Sequence, residues 1–256
     1  MYSEPRWNII EDCLMKENII AINKLAKMAG VSEATIRRDI AKMEKLNILL
    51  RNRGKVMLTS NINLVSYRKN ININKKQAIG KLAAGIVEDN DILFIDSSTT
   101  TLEMAKCLPR DIRLTVITNN LMIALELENR PSVHVIILGG ILENGTNTLF
   151  GEIAAKNLEG LRFKKAFMGA GGISESGNIS YYSMHGVDFI KNIISISDKV
   201  IVLADSSKFY KTCLMTVIPC DMVGMLVTDS IPAEIRRAYE EAAAEILLCV
   251  EDPLKM

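Results

Sequence analysis

Histidine is scarce in this chain: His134 and His185 are its only two in 256 residues, and neither has a ligand-like neighbour at helical spacing. Neither a metal nor any other cofactor is expected. The five cysteines (Cys13, Cys107, Cys213, Cys220, Cys249) are odd in number, scattered, and without a C-x-x-C pair. That pattern favours free thiols in a reducing cytosol over a disulfide framework or a zinc site. No apolar run approaches the ~20 residues of a membrane span. The opening residues lack the basic-then-apolar order of a secretory leader. A cytoplasmic protein with no membrane partner is the expectation.

A surplus of one charge sign is also missing overall, since the formal net charge is only +1. Divided at residue 58, however, the chain is uneven. The first 58 residues hold 11 Lys and Arg against 7 Asp and Glu, and the rest holds 20 against 23. A basic head on a mildly acidic body suits a polyanion-binding module joined to something that need not touch the polyanion.

Within the head, Trp7, Ile10 and Leu14 mark one face of a helix over residues 6–15, with Glu11 and Asp12 expected outward. Ile22, Leu25, Ala26 and Ala29 mark a second helix, which Gly30 can end in the left-handed conformation. Ser32 can cap a third helix, whose buried stripe is Ile36, Ile40, Met43 and either Leu46 or Ile48. Two short helices across so tight a turn predict a helix-turn-helix at about 20–39. Opposite the stripe lie Ala34, Arg38 and Ala41, flanked by Thr35, Arg37 and Lys42. Small residues allow close approach, hydroxyls such as those of Ser32 and Thr35 bind phosphate, and arginine reads guanine edges, so this face suits a major groove. Two apolar runs then flank Arg51-Asn52-Arg53-Gly54-Lys55. They predict a hairpin wing over 48–58 with Arg51, Arg53 and Lys55 towards the DNA backbone.

Residues 59–74 are rich in asparagine and carry no helical stripe, which marks a linker. From about Lys75 the chain alternates, beginning with a helix that buries Ile79, Leu82, Ala83 and Ile86. Strand-like runs fall at 92–95, 114–117, 133–138, 166–168, 200–203 and 223–227. Helical stretches follow at 100–108, 119–129, 151–160, 187–197 and 232–246. The expected fold class is α/β: a mostly parallel sheet over 75–256, covered on both faces, behind a small winged head. The strand ends are polar. They read Asp96-Ser97-Ser98-Thr99-Thr100-Thr101, Thr118-Asn119-Asn120, Gly139-Gly140, Gly169-Ala170-Gly171-Gly172 and Asp205-Ser206-Ser207-Lys208. Ligands bind beyond the carboxyl ends of such strands. Hydroxyls and amides opening a helix at Ser97–Thr100 make an anion site, glycines allow close approach, and Lys208 can neutralise a phosphate.

The run Val31-Ser32-Glu33-Ala34-Thr35-Ile36-Arg37-Arg38-Asp39-Ile40 closely resembles the recognition-helix signature of the DeoR family of bacterial regulators. The larger half is similar to that family's sensor domain, with Asp96–Thr100, Thr118-Asn119, Gly139-Gly140, Gly151, Phe167-Met168-Gly169 and Asp205–Lys208 in matching order. The resemblance implies a fold shared with ribose-5-phosphate isomerase and coenzyme A transferases. It also implies a repressor of carbohydrate genes on operator DNA, modulated by a phosphorylated sugar and acting as a homodimer or homotetramer. Asp96, Ser97, Ser98, Thr99, Thr100, Thr118, Asn119, Gly139, Gly140, Gly171 and Lys208 would form the effector site. Departures are Ala21 in place of a Ser or Thr cap, the basic wing tip, Ser98 in place of glycine, and Gly186 and Ile190 in place of a glutamate and a lysine. Two other readings stay open. One is a regulator whose second domain only oligomerises; the other is a sugar-phosphate isomerase-like enzyme, which would need a positioned carboxylate base.

Overall fold

The computed structural model describes residues 5–17, 19–45, 48–52, 54–58, 69, 71–143, 146–182 and 186–249. Contacts divide the chain into two compact units, 1–64 and 65–256. Most of the expected linker, and with it Arg53 and His185, lies outside the described residues.

The first unit runs α1 (Pro5–Lys16), β1 (Ile19–Ala21), α2 (Ile22–Met28), α3 (Glu33–Lys45), β2 (Leu49–Asn52) and β3 (Lys55–Leu58). Its core is Ile10, Leu14, Ile20, Leu25, Ile36, Ile40, Met43, Leu49 and Val56, contributed by every element. Gly30, at φ +65°, ends α2: the Gly30 amide donates to the Lys27 carbonyl at 3.2 Å and that of Val31 to Ala26 at 3.1 Å. This crossed pair of bonds needs a left-handed residue between helix and turn, which glycine adopts without strain. Ala21 precedes α2 with no side-chain cap; instead the Ile22 amide donates to Gly54 O at 3.0 Å. The short strand β1, unforeseen in the sequence, pairs with β3 and makes the wing three-stranded in the order β1-β3-β2.

Glu11 is the clear correction in this unit. Expected outward, it is 2% exposed, and neither carboxyl oxygen has a partner among the described residues. Burial, with Asp12 adding repulsion, pushes its pKa up to about 8. The folded state therefore holds a proton that the unfolded chain releases above about 4.5. Stability present at acid pH should fall as pH rises through that window to about 8. Glu11→Met should flatten this slope and, at pH 8, add about 1–3 kcal/mol by removing a desolvated acid. Urea titrations at several pH values, read by the fluorescence of Trp7, the chain's single tryptophan, would measure it; an unchanged slope would refute it.

The second unit opens with α4 (Ile73–Ala84), starting two residues before the expected Lys75. Then come β4 (Asp91–Ile95), α5 (Thr99–Cys107), β5 (Leu114–Thr118), α6 (Leu121–Leu127), β6 (Val133–Ile137), β7 (Ile141–Glu143), β8 (Thr148–Phe150) and α7 (Glu152–Lys156). After these follow β9 (Lys165–Gly169), β10 (Gly172–Ile173), β11 (Ile179–Tyr181), α8 (Val187–Ser195), β12 (Val200–Leu203), β13 (Met215–Ile218), β14 (Met225–Thr228), α9 (Ala233–Glu241) and β15 (Glu245–Leu248). Seven strands form one parallel sheet in the order β15-β14-β12-β9-β4-β5-β6. Strand side chains alternate strictly. Phe94, Ala166, Met168 and Val202 face α7, α8 and α9, while Leu93, Ile95, Phe167 and Ile201 face α4, α5 and α6. Period-2 burial on both faces is what makes the strands read as unbroken apolar runs.

The stretch 232–246 is not one helix. It stops at Glu241, Ala243 takes φ +58°, and residues 245–248 join the sheet as an edge strand on β14. Small antiparallel pieces, β7-β8 and β10-β11-β13, were likewise not read from the sequence.

Candidate functional site

In the first unit, α3 presents one polar face. Ser32 caps it: the Thr35 amide donates to Ser32 Oγ at 3.3 Å, and the two hydroxyls lie 2.9 Å apart. Ile36, Ile40 and Met43 are fully buried, whereas Ser32, Ala34, Arg37, Arg38 and Lys42 are exposed and Thr35 is half-buried. Arg37 pairs with Glu33 at 3.2 Å, one turn back. Arg38 makes no ion pair with a described residue. The buried Asp39 accepts from Arg6 Nε at 2.9 Å, which ties α3 to α1 and fixes the angle of the exposed face. In the wing, Arg51 lies 3.6 Å from Glu44, and Lys55 is exposed beside Gly54, whose φ is +76°.

In the second unit the five polar loops all lie at the carboxyl edge of the parallel sheet. After β4, Ser98 caps α5 in a reciprocal box: the Thr101 amide donates to Ser98 Oγ at 3.0 Å and the Ser98 amide to Thr101 Oγ1 at 3.0 Å. The amides of Thr99 and Thr100 then have no acceptor among the described residues, so the positive end of a nine-residue helix keeps two free donors. Asp96 accepts from the Gly169 amide at 3.1 Å and thereby links the loops after β4 and β9. Ser97 Oγ meets Thr148 Oγ1 of β8 and accepts from Asn120 Nδ2 at 2.6 Å.

Two expectations change. Thr118 is fully buried; its hydroxyl donates to Ile95 O at 2.7 Å and accepts from the Asn120 amide at 3.1 Å. It holds strands together and leaves no donor for a ligand. Gly140 and Gly171 do mark close approaches, but to the chain's own backbone: an added Cβ would sit 2.4 Å from Phe150 O and 2.7 Å from Ser180 O. Gly139 donates to Asn157 Oδ1 at 3.2 Å. Asn119 is buried; it donates to Leu149 O at 3.3 Å while its Oδ1 has no partner among the described residues.

After β12, Lys208 Nζ stands 5.9 Å from the centre of the Tyr182 ring, and the Tyr182 hydroxyl donates to Gly171 O at 3.1 Å. Tyr181 donates to Gly169 O at 2.8 Å; burial and the neighbouring Asp96 push its phenol up, so it stays a donor. Sequence reasoning missed both tyrosines, and also Asn72, Lys75 and Asp229, which surround the Asp205–Lys208 loop. Adjacent aromatics beside a glycine loop were the one available signal. At the departures, Gly186 adopts φ +85° ahead of α8, and Ile190 is part of the apolar core.

Residues 6–61 match the family model of the DeoR-like helix-turn-helix domain, and residues 71–230 match that of the DeoR C terminal sensor domain. The HTH-type transcriptional repressor GlcR of Bacillus subtilis is 33% identical over 91% of this chain and 90% of its own. The glycerol-3-phosphate regulon repressor of Escherichia coli is 28% identical over 97% of this chain and all of its own. Among solved structures, ribose 5-phosphate isomerase A of Methanocaldococcus jannaschii covers 54% of this chain and 55% of its own at 14% identity, with a TM-score of 0.41. An exposed arginine-bearing recognition helix, a wing and a parallel sheet with a polar carboxyl edge thus coincide with both domain signatures, and the chain belongs to the DeoR family of DNA-binding transcriptional regulators.

Proposed function

We propose that the protein is a cytoplasmic repressor of carbohydrate genes that releases its operator on binding a phosphorylated sugar. In this reading residues 1–58 are the DNA-binding head, 59–74 a linker and 75–256 the sensing and oligomerising body. Ser32, Ala34, Thr35, Arg37, Arg38 and Lys42 meet the operator groove, and Arg51, Arg53 and Lys55 its backbone. The effector's anion rests on the amides and hydroxyls of Ser97–Thr100, and Lys208 supplies a counter-charge.

The observation carrying the sensing role is the pair of free amides at Thr99 and Thr100 on the same sheet edge as Lys208. Their strands β4 and β12 are separated only by β9. Two strand spacings are about 10 Å, a span suited to a sugar carrying a phosphate. The name of the Escherichia coli relative, a repressor of a glycerol-3-phosphate regulon, agrees with an effector of this class. Catalysis is disfavoured because the carboxylates at this edge hold the fold: Asp96 accepts from Gly169, and Asp205 from Ser207 and Asn72. No helix among the described residues is long and apolar enough to cross a membrane.

Thermal denaturation with glucose 6-phosphate, fructose 6-phosphate, glucosamine 6-phosphate and glycerol 3-phosphate tests the reading. At least one should raise the melting temperature and lower operator affinity; no shift with any of them would sink the sensing role. A single winged helix makes few base contacts. Light scattering should therefore find a dimer or tetramer, and a tightly binding monomer would contradict the oligomer.

A further inference from the structure

The turn after β12 is tied on one side to the first turn of α4. Asn72 stands at the N-cap of α4, where an asparagine ordinarily keeps extended backbone and accepts from the helix's free amides. Here it does neither. Its backbone is left-handed, at φ 51° and ψ 35°, and its side chain makes no cap bond. Instead the amide donates to Asp205 Oδ1 at 2.9 Å, across 133 residues of sequence. One turn further on, Lys75 Nζ meets both Ser206 Oγ and Asp229 Oδ2 at 2.7 Å. Asp229 in turn accepts from the Ser206 amide at 2.6 Å and the Ser206 hydroxyl at 2.7 Å.

The other side of the same turn faces the glycine loop after β9. Lys208 lies over Tyr182, which donates to Gly171 O, and the Lys208 amide donates to Asp205 O at 3.0 Å. Burial resists ionisation of Asp205. The bonds from Ser207, the charge of Lys208 and the Asn72 amide outweigh it, and the carboxyl stays below the usual range. Asp205 thus responds to where the Lys208 charge sits. An anion that draws Lys208 towards itself weakens that support within a turn three residues long, and Asn72 is at its far side. The helix held there starts nine residues beyond Leu64, the last residue of the DNA-binding unit.

We propose that Asn72 and Lys75 form a latch through which occupancy of the Asp205–Lys208 turn is passed to the chain entering from the DNA-binding unit. Asn72 is a positioning residue: it touches neither effector nor DNA and sets the coupling between them. The latch rests on the reading that Lys208 of this turn supplies the counter-charge to a phosphorylated sugar. A ligand shifts an equilibrium only through contacts that differ between the two states, and the bond from Asn72 to Asp205 is such a contact.

Asn72→Gly isolates the side chain, because glycine keeps the left-handed backbone without strain. The full-length parent and Asn72→Gly are titrated by calorimetry with whichever of glucose 6-phosphate, fructose 6-phosphate, glucosamine 6-phosphate and glycerol 3-phosphate binds the parent most tightly. Operator affinity is measured with and without that compound. In the parent it should fall about tenfold. Asn72→Gly should bind the compound within about twofold of the parent, yet its operator affinity should change by less than about twofold. The double variant N72D/D205N, which exchanges donor and acceptor, should recover response that N72D alone loses through two facing carboxylates. If Asn72→Gly binds the compound and releases operator as the parent does, the latch is wrong while the sensing role stands. If the parent binds none of the four compounds, the sensing role fails and the latch falls with it.

Discussion

Arg38→Ala loses about 1–3 kcal/mol of operator affinity, roughly five- to 150-fold, with little change on random duplex. Arg38 stands on the face opposite Ile36 and Ile40 and makes no ion pair with a described residue, so its guanidinium can turn fully to a base edge. Arg37 differs: it must first leave Glu33, 3.2 Å away, although a pair so exposed holds it weakly. Arg37→Ala should therefore cost less than Arg38→Ala and more of its effect should disappear at high salt. Anisotropy titrations on an operator selected by the parent from random duplexes, at two salt concentrations, give both numbers. Equal affinities for parent and Arg38→Ala would remove α3 as the reading element.

The second large effect concerns Lys208→Ala, which should lose response to the sugar phosphate while holding ligand-free operator within about twofold. The side chain is half-buried over Tyr182 at the sheet edge and belongs to the second unit, so the recognition helix keeps its own core without it. Calorimetry should show weakened ligand binding here, in contrast to Asn72→Gly, which keeps the ligand and loses the response. Thr99→Val is a milder companion, since it removes a hydroxyl but leaves the Thr99 and Thr100 amides in place. If Lys208→Ala binds the same compound as tightly as the parent and releases DNA equally, the counter-charge lies elsewhere.

How far the sequence could be read depended on how local each feature is. The recognition helix was legible because its cap, stripe and exposed face lie within the 14 residues from Ser32 to Lys45, and a 3.6-residue period needs nothing from outside. The inner strands of the sheet were legible because both faces are buried, which leaves apolar runs such as Val200–Leu203, and the edge strand β6 was legible from its Val and Ile content although only Val133 of it is buried. The seventh, Glu245–Leu248, is an edge strand with a charged first residue, and following α9 directly it reads as the end of a helix. Glu11 escaped for the opposite reason. Its neighbours Ile10, Cys13 and Leu14 mark the buried face, and only packing against α2 and the wing decides that the face is broad enough to include it.

By itself the sequence determined that there is a basic winged head, a parallel α/β body and a set of polar turns at the strand ends, because periodicity and turn chemistry are properties of neighbouring residues. It did not determine what each polar side chain holds. Thr118 and Asn72 both carry side chains that can donate and accept, yet one is closed into the sheet by the Ile95 carbonyl and the other reaches Asp205 from a segment that reads as linker. Gly140 and Gly171 read as space for a ligand and prove to be space for the chain's own backbone. The two hydrogen-bonded assignments depend on atoms 23 and 133 residues apart being brought within 3 Å. A hydrogen bond forms only at such a distance, and only the folded second unit supplies it.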